Sequence, residues 1–400
     1  MKKAGIITLY YGNDNYGGIA QAFALRKYID SLGIDAELIS YQRIRTEEIR
    51  KNRQKNEIKT KGFIAFLREH TNGALKVRCN RVLDWIAEII IHPAQLKRIK
   101  EGIKDRKAAF QRSRDFLPHS PVYTDDTIHE CTDRYDYFIT GSDQVWKPGV
   151  LRGPFVFDFV EPGRAVFSYA SSITSAQLDE EYGQYMKEQL SKYKWISVRE
   201  TSARDYLEKQ LNRTVDVDVD PTLLMDENDW VSLLPDRVVN EPYLFAYLLG
   251  ESRDQRRWIE TIAKERKLKI VTLPHLTGRI RRCDIHFGET QLYDIDLMKF
   301  LRLIKDAELV CTDSFHAVVF SNIFESNFMV FERQVSAERF SMMSRIETLL
   351  DHFEEADRFV SSEEMAAKCS IHQIDFATAK KRIKPLIDES RRKLALQFEE

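Results

Sequence analysis

The sequence contains little cysteine and no cysteine or histidine motif. Its five cysteines lie far apart without a Cys-x-x-Cys pair, and an odd number argues against a disulfide framework. The nine histidines include no His-x-x-x-His pair that would place two metal ligands on one helical face. These absences predict a reducing compartment, the cytoplasm, and no metal site.

Long hydrophobic runs are absent as well. No apolar run approaches the roughly 20 residues that a membrane-spanning helix needs. The first apolar run, behind a short basic lead, ends in tyrosine and glycine without a small-residue cleavage site, so we expect a β-strand rather than a signal peptide. A chain of 400 residues with 43% hydrophobic and 31% charged residues predicts two globular domains, because single cores stop growing at roughly 250–300 residues.

Neither common nucleotide signature is present at the place that suggests one. Residues 8–33 run from a hydrophobic strand through a loop of asparagine and glycine into an amphipathic helix. Gly12, Gly17 and Gly18 do not form Gly-x-Gly-x-x-Gly, and no Gly-Lys-Ser/Thr follows, so NAD binding and NTPase activity are disfavoured. The free N–H groups of the turn favour an anion or a hydroxyl-rich ligand. A purely structural turn explains the same residues.

Strands alternate with helices along most of the chain, which predicts an α/β fold with mostly parallel strands. The segment 225–241 has no sustained periodicity and predicts a joint between two units. We therefore predict an N-terminal domain over 1–230 and a C-terminal domain over 240–375. A last amphipathic helix, over 376–400, is expected to pack back across the joint.

Basic residues are concentrated in one part of the N-terminal domain, although the net charge is only −1. Between Arg43 and Arg114, lysine and arginine outnumber acidic residues by roughly two to one. Apolar residues recur there at helical spacing, so we predict a basic helical insertion over 43–115. Either the insertion is simply solvated, or its cationic face contacts anionic lipid or a lipid-linked diphosphate.

Polar side chains follow two predicted strands of the first unit, where open parallel sheets bind ligands. Ser142 and Asp143 come directly after the strand in "YDYFITG". Arg199 ends the strand in "WISVRE" and precedes a helix. A guanidinium at such a junction suits phosphate or carboxylate recognition, and a structural ion pair explains it too.

A third polar stretch, "AELVCTDSFHAVVF", lies in the second unit. Asp313 and Ser314 are natural N-caps for the helix that follows, which is a sufficient structural reason for them. His316 lies in the first turn of that helix, where no structural rule requires a histidine. A structural and a catalytic histidine are both open at this point.

Taken together, these stretches resemble the polysaccharide pyruvyl transferase family. The similar segments are "GIITLYYGNDNYGGIAQAFAL", "DYFITGSDQVW", "FSYASS", "ISVRE", "VDVDPTLL", "VCTDSFHAVVFSNIF" and "FMVFER", in the order of the family. The resemblance implies a GT-B-like fold, with two Rossmann-like domains that face each other across a cleft. It also implies an activity, in which pyruvate from phosphoenolpyruvate forms a ketal with two sugar hydroxyls and phosphate is released without a cofactor.

The resemblance further implies roles for individual residues. His316 becomes the general acid and Arg199 the anion clamp, and both are catalytic. The phosphoenolpyruvate side then comprises Arg199, Asp313, Ser314, His316, Arg333 and Arg339. The acceptor side comprises Asn13, Asn15, Gly17, Gly18, Ser142 and Asp143. Asp14 adds a negative charge to the first loop, which argues that this loop faces the sugar rather than the anion.

The expected partners are phosphoenolpyruvate and a sugar or lipid-linked oligosaccharide, with no nucleic acid. The expected location is the cytoplasm, peripheral to the inner face of the membrane, in the biosynthesis of a cell-surface polysaccharide such as a capsule or exopolysaccharide. Two alternatives stay open: a GT-B glycosyltransferase that uses a nucleotide sugar, and a non-catalytic glycan-binding relative. The sequence identifies neither the sugar nor the oligomeric state.

Overall fold

The computed structural model describes residues 1–42, 93–151, 153–174, 178–275, 281–333 and 339–399; over 93–96 and 339–344 it describes the backbone only. Residues 43–92 of the predicted insertion over 43–115 therefore lie outside the described residues, and residues 93–115 lie within them. In the described part of the chain, no helix combines the length and the apolar character needed to cross a membrane.

The first half of the chain builds a five-stranded parallel sheet. Its strands are β1 (Lys3–Ile7), β2 (Asp35–Tyr41), β3 (His119–Tyr123), β4 (Tyr137–Thr140) and β5 (Ala165–Ser168), in the order β3-β2-β1-β4-β5. The helices of this half are α1 (Tyr16–Ser31), α2 (Pro93–Asp115), α3 (Glu180–Leu190), α4 (Thr201–Leu211) and α5 (Glu227–Val231). Two short strands, β6 (Ser197–Val198) and β7 (Asp216–Val217), pair with each other, and 3-10 turns span Ile128–Arg134, Gly153–Val156 and Pro221–Leu224.

The second half builds a six-stranded parallel sheet with the same winding. Its strands are β8 (Tyr243–Tyr247), β9 (Lys269–Thr272), β10 (Thr290–Gln291), β11 (Leu309–Thr312), β12 (Phe328–Phe331) and β13 (Phe359–Val360), in the order β10-β9-β8-β11-β12-β13. Its helices are α6 (Arg253–Arg266), α7 (Leu297–Lys305), α8 (Phe315–Ile323), α9 (Arg339–Phe353), α10 (Glu363–Ile371) and α11 (Phe376–Leu396), with a 3-10 turn over Ala356–Arg358.

Both strand orders reverse direction beside the first strand of the sheet, which is the Rossmann-like arrangement. In the first sheet the reversal lies between β1 and β4, and in the second between β8 and β11. The predicted fold class, two Rossmann-like α/β domains facing across a cleft, is confirmed. The domain limits drawn from the sequence stay predictions.

The inner strands β1, β4, β8, β11 and β12 bury both of their faces, which explains the nearly continuous apolar runs in the sequence. In β8, Tyr243, Phe245 and Tyr247 join a core shared by both halves, whereas Leu244 and Ala246 join a core of the second half alone. The shared core extends from β1 through α1 to α7, α8 and β12. The two halves are therefore held together by apolar packing as well as by polar contacts.

Helix α1 begins at this shared core, and α2 lies across it. The Tyr16 hydroxyl donates to the Ile295 carbonyl at 2.7 Å, and its ring stacks on Phe300 with centroids 4.3 Å apart. From α2, Arg106 donates to the carbonyls of Leu292 and Tyr293. The described end of the basic region, helix α2, thus connects the two halves through hydrogen bonds.

Helix α11 contacts both halves. Ser390 accepts a hydrogen bond from the Val219 N–H, and Lys393 lies 2.7 Å from Asp216. Beyond the helix, Phe398 packs edge-on against Tyr137, with ring centroids 5.0 Å apart.

Candidate functional site

A cleft of about 980 Å³ opens at the reversal point of the first sheet. The loop after β1, the loop after β4 and the end of α2 supply most of its lining. The described lining residues are Leu9, Tyr11, Gly12, Asn13, Asn15, Gln42, Gln111, Arg114, Asp143, Gln144 and Val150. Since open α/β sheets bind ligands at this point, the cleft is the first component of the candidate site.

The loop between β1 and α1 is internally satisfied. The Asn15 side chain is the N-cap of α1 and accepts hydrogen bonds from the Gly17 and Gly18 N–H groups. Asn13 donates to the Leu9 carbonyl. The expectation that this turn offers free N–H groups to a ligand is therefore wrong for Gly17 and Gly18, because a carboxamide of the chain already occupies them.

Gly17 belongs to the contact between the halves rather than to the cleft wall. A Cβ atom at Gly17 would lie 2.0 Å from His316 Nδ1, so only glycine allows the imidazole ring to approach α1. Gly18 is less restricted, with the Leu9 carbonyl oxygen 3.0 Å from the corresponding position. Both glycines were predicted to bind the acceptor; the structure gives Gly17 a packing role against His316.

His316 is buried where the two halves meet. Its ring lies edge-on to Phe315, with centroids 5.1 Å apart, and Nε2 is 3.6 Å from Asp220 Oδ2. Nε2 is a buried atom with no hydrogen-bond partner among the described groups. Since buried polar atoms are normally paired, a bound substrate could supply the missing partner.

Arg199 is held between two carboxylates. Its Nη1 donates to Asp220 Oδ2 at 2.6 Å and its Nη2 to Asp143 Oδ1 at 3.0 Å. Asp220 also accepts hydrogen bonds from the Thr222 N–H and hydroxyl. These bonds hold Asp220 beside His316, while the buried Arg199 Nε has no hydrogen-bond partner among the described groups. That Arg199 clamps an anion directly stays a prediction.

These carboxylates are ionised despite their burial. Burial raises the pKa of Asp143, but the charges of Arg199, His316 and Arg345 outweigh it and hold the pKa below its usual range. Burial also raises the pKa of Asp220, and His316 and Arg199 again reverse the direction, holding it well below the usual range. We call Asp143, Arg199, Asp220, His316 and Arg345 the ionic cluster.

Arg345, from α9, is a member of the cluster that sequence reasoning missed. Its Nη1 donates to Asp143 Oδ1 at 3.1 Å, and its buried Nε has no partner among the described groups. Arg345 and Arg199 both lie over the Phe315 ring, at 5.8 and 4.5 Å from its centroid, within the range of cation–π attraction.

The turn before α8 is built differently from the sequence expectation. Asp313 does not cap the helix: its carboxylate accepts from the Leu249 and Gly250 N–H groups at 2.7 and 2.6 Å. Arg333 donates to the Asp313 carbonyl at 2.6 Å. Ser314 is the N-cap residue but makes no capping hydrogen bond with its side chain.

Two further predicted residues fall away from the centre of the site. Ser142, predicted on the acceptor side, is fully buried, and its hydroxyl donates to the Ala170 carbonyl at 2.6 Å; its role is structural. Arg339 begins α9, and its side chain lies outside the described residues. Asp14, which raised the question of charge in the first loop, is paired with Arg114 at 2.8 Å.

Asp143 joins the two parts of the site, because it lines the cleft and also binds Arg199 and Arg345. Two Rossmann-like domains, with a buried ionic cluster between them and a polar cleft lined by the first, define a GT-B-like architecture. The model of the family described as polysaccharide pyruvyl transferase matches residues 15–334, and the chain belongs to that family. Its class is thus that of a pyruvyl transferase of polysaccharide biosynthesis.

Several solved structures are similar to the chain at low identity. A putative UDP-N-acetylglucosamine 2-epimerase from Listeria monocytogenes is 10% identical, with a TM-score of 0.48 over 95% of this chain and 94% of its own. UDP-GlcNAc 2-epimerase from Neisseria meningitidis, bound to UDP-GlcNAc, is 11% identical, with a TM-score of 0.44 over 98% of this chain and 100% of its own. MurG from Acinetobacter baumannii is 11% identical, with a TM-score of 0.39 over 98% and 95%. No curated protein matches the chain significantly.

Proposed function

We propose that the protein transfers pyruvate from phosphoenolpyruvate to two hydroxyls of a sugar as a ketal and releases phosphate. The observation that supports this most is the position of His316, whose unpartnered Nε2 lies at the junction of the two halves. A general acid at this position can reach a donor held by one half and an acceptor held by the other.

The donor fits the C-terminal side of the junction. The first turn of α8 carries His316 and lacks a side-chain cap, so the positive end of the helix dipole favours an anionic group there. The buried Nε of Arg345 has no hydrogen-bond partner among the described groups. Arg333 adds a second guanidinium nearby, which donates to the Asp313 carbonyl. We assign the phosphate and carboxylate of phosphoenolpyruvate to this region, with Arg199 as the residue that positions Asp220.

The chemistry balances with the groups present. His316 gives a proton to the methylene carbon of phosphoenolpyruvate, which becomes a methyl group and leaves C2 electron-deficient. One sugar hydroxyl forms a C–O bond to C2 and loses its proton, which restores the imidazolium. The second hydroxyl forms another C–O bond to C2 as the bond from C2 to the phosphate oxygen breaks, and its proton leaves with the phosphate.

The acceptor fits the cleft of the N-terminal half. Its described lining is rich in carboxamides, including Asn13, Asn15 and Gln144, and carboxamides both donate and accept hydrogen bonds, as sugar hydroxyls do. Asp143 connects this lining to the ionic cluster.

Turnover with phosphoenolpyruvate and a panel of glycosides tests the proposal. We expect phosphate release together with the mass gain of a pyruvate ketal, and a loss of about 10²–10⁴-fold in rate for His316→Ala. Equal turnover by the wild type and His316→Ala would remove His316 as the acid. Stabilisation by UDP or GDP but not by phosphoenolpyruvate would favour a nucleotide-sugar glycosyltransferase, and glycan binding without phosphate release would favour a non-catalytic relative.

We also propose a cytoplasmic location with contact to the inner membrane face. The described cysteines are unpaired, as a reducing compartment favours. On α2, Lys97, Lys100, Lys104 and Lys107 recur at helical spacing and are exposed, which suits anionic headgroups. Flotation with phosphatidylglycerol vesicles tests the contact: wild-type protein is expected to float and a variant with these four lysines changed to glutamate is not, whereas equal flotation of the two would contradict it.

A further inference from the structure

We propose that the cleft selects an uncharged acceptor of at least two sugar units, and that Gln144 contacts this acceptor beside the ionic cluster. This inference rests on the proposed function, which makes the bound glycan the acceptor of the reaction. Which glycan binds, and which residue contacts it, does not depend on the chemistry that follows.

The uncommitted groups of the cleft are neutral. The Tyr11 hydroxyl and the carboxamides of Gln42 and Gln144 line it, and none of the three makes a side-chain hydrogen bond to another described residue. A carboxamide offers both a donor and an acceptor, so it can pair with a hydroxyl in either direction. A ring such as that of Tyr11 adds an apolar face with a polar tip.

The charged groups of the described lining are already neutralised. Arg114 is paired with Asp14 at 2.8 Å, and Asp143 with Arg199 and Arg345 at 3.0 and 3.1 Å. A carboxylate or phosphate on the acceptor would lose hydration on entering the cleft without meeting an unpaired cation of this lining. A sugar without charge loses less and gains the carboxamide hydrogen bonds.

The size of the cleft favours more than one sugar. Its volume of about 980 Å³ lies at the upper end of the roughly 300–1,000 Å³ typical of small-molecule sites. A monosaccharide would leave much of the polar lining in contact with water only. An oligosaccharide can place one unit beside Asp143 and further units along the loop after β1.

Gln144 is the residue best placed to set the position of the reacting unit. It follows Asp143 directly and has a φ of 55°, a left-handed conformation that non-glycine residues rarely adopt. Val145 and Trp146, which follow it, are fully buried and fix the backbone. Side chains held in such conformations cluster at ligand sites, and here the result is a half-buried carboxamide beside the ionic cluster.

A glycan array with neutral and uronate-containing mono-, di- and trisaccharides tests the proposal without phosphoenolpyruvate. The test variant is Gln144→Gly, which removes the carboxamide and tolerates the positive φ. Asn212→Gly is the matched control, because Asn212 has a φ of 51° at the end of α4 and lies outside the described lining of the cleft. Calorimetry with phosphoenolpyruvate alone measures donor binding in the same proteins.

We expect the wild type and Asn212→Gly to retain neutral glycans of two or more units. Gln144→Gly is expected to bind them about tenfold more weakly, with unchanged affinity for phosphoenolpyruvate. Equal retention of uronates or monosaccharides, retention of no glycan, or equal binding by Gln144→Gly would overturn the proposal. If neutral oligosaccharides bind as expected but release no phosphate from phosphoenolpyruvate, the proposed function fails and this inference stands.

Discussion

Two strand-to-helix turns meet at the centre of the molecule, and they treat their helix N-termini in opposite ways. After β1, the Asn15 side chain accepts hydrogen bonds from the first N–H groups of α1. Before α8, Ser314 makes no such bond, and the Asp313 carboxylate accepts hydrogen bonds from the loop after β8 instead. The first turn is complete in itself, whereas the second leaves a helix dipole and His316 available to a ligand.

The comparison shows that one local pattern can serve two purposes. In the sequence both turns are polar stretches that follow a strand and precede a helix, and distant partners decide which of them is complete. The turn after β1 borders the carboxamide-lined cleft. The turn before α8 carries His316, which belongs to the ionic cluster. We accordingly propose that the sugar binds at the first turn and the anionic donor at the second.

The largest effect on stability is expected from Asp220→Asn, which removes the carboxylate that lies between Arg199 and His316. Removing one charge from a buried, hydrogen-bonded pair costs on the order of 3–5 kcal/mol of stability. Because the pKa of Asp220 is held below its usual range, its contribution is present above the unfolded-state pKa and is lost as the pH falls through the folded-state pKa.

Urea unfolding of the wild type and Asp220→Asn measures this effect across pH. The difference in unfolding free energy should be full at pH 7 and shrink below about pH 4. Asp254→Asn, which breaks an exposed pair with Arg257, should change little. A difference between the wild type and Asp220→Asn that does not vary with pH would show that Asp220 carries no ionised role.

Gly17→Ala is expected to disturb the contact between the two turns. The added methyl would overlap His316 Nδ1, so the imidazole must move, and we expect kcat/KM for ketal formation to fall about 10²-fold. The neighbouring Gly18→Ala, with more room, should fall several times less. Equal rates for the two variants, at equal melting temperatures, would show that the position of His316 does not depend on α1.

Arg345→Met should weaken the donor side. Charge-assisted hydrogen bonds contribute about 1.5–3 kcal/mol, so the affinity for phosphoenolpyruvate should fall at least about tenfold. Methionine retains much of the packing on Phe315. Calorimetry with phosphoenolpyruvate measures the change, and Arg358→Met, which breaks carbonyl contacts elsewhere in the C-terminal half, serves as the matched control. Unchanged donor affinity in Arg345→Met would place the anion elsewhere.

The smallest effect is expected from the first turn. Asn13→Ala and Asn15→Ala should raise KM for the acceptor several-fold and leave donor affinity unchanged. Part of the Asn15 effect comes from loss of the helix cap, which costs roughly 0.5–2 kcal/mol, so the melting temperature is measured alongside. If these variants lose more affinity for phosphoenolpyruvate than for the acceptor, the anionic donor binds at this loop and the assignment is wrong.

The sequence predicted the architecture because strand and helix periodicity is local. Apolar runs such as "PYLFAYLLG" mark strands buried on both faces, and the order of such runs is enough to indicate parallel sheets. It could not predict that Gly17 touches His316, since the two lie on different halves of the molecule. That contact depends on how α1 and α8 pack in the shared core.

The site was predicted only in part, for the same reason. His316 was singled out because no structural rule requires a histidine in the first turn of α8, and its catalytic role stays a prediction. Arg345 binds Asp143 across 202 positions, and no spacing in the sequence marks that pair. Arg199 was assigned to a ligand because a guanidinium at the end of a strand gives no local sign of its carboxylate partners, Asp143 and Asp220.

The most direct test of the central claim is a crystal structure with bound phosphoenolpyruvate. We predict its phosphate at the first turn of α8, with its carboxylate contacting Arg345 and its methylene carbon facing His316. The carboxamides of Gln42 and Gln144 should remain free for the acceptor. Phosphate bound at the turn between β1 and α1, with His316 away from the methylene carbon, would contradict the account.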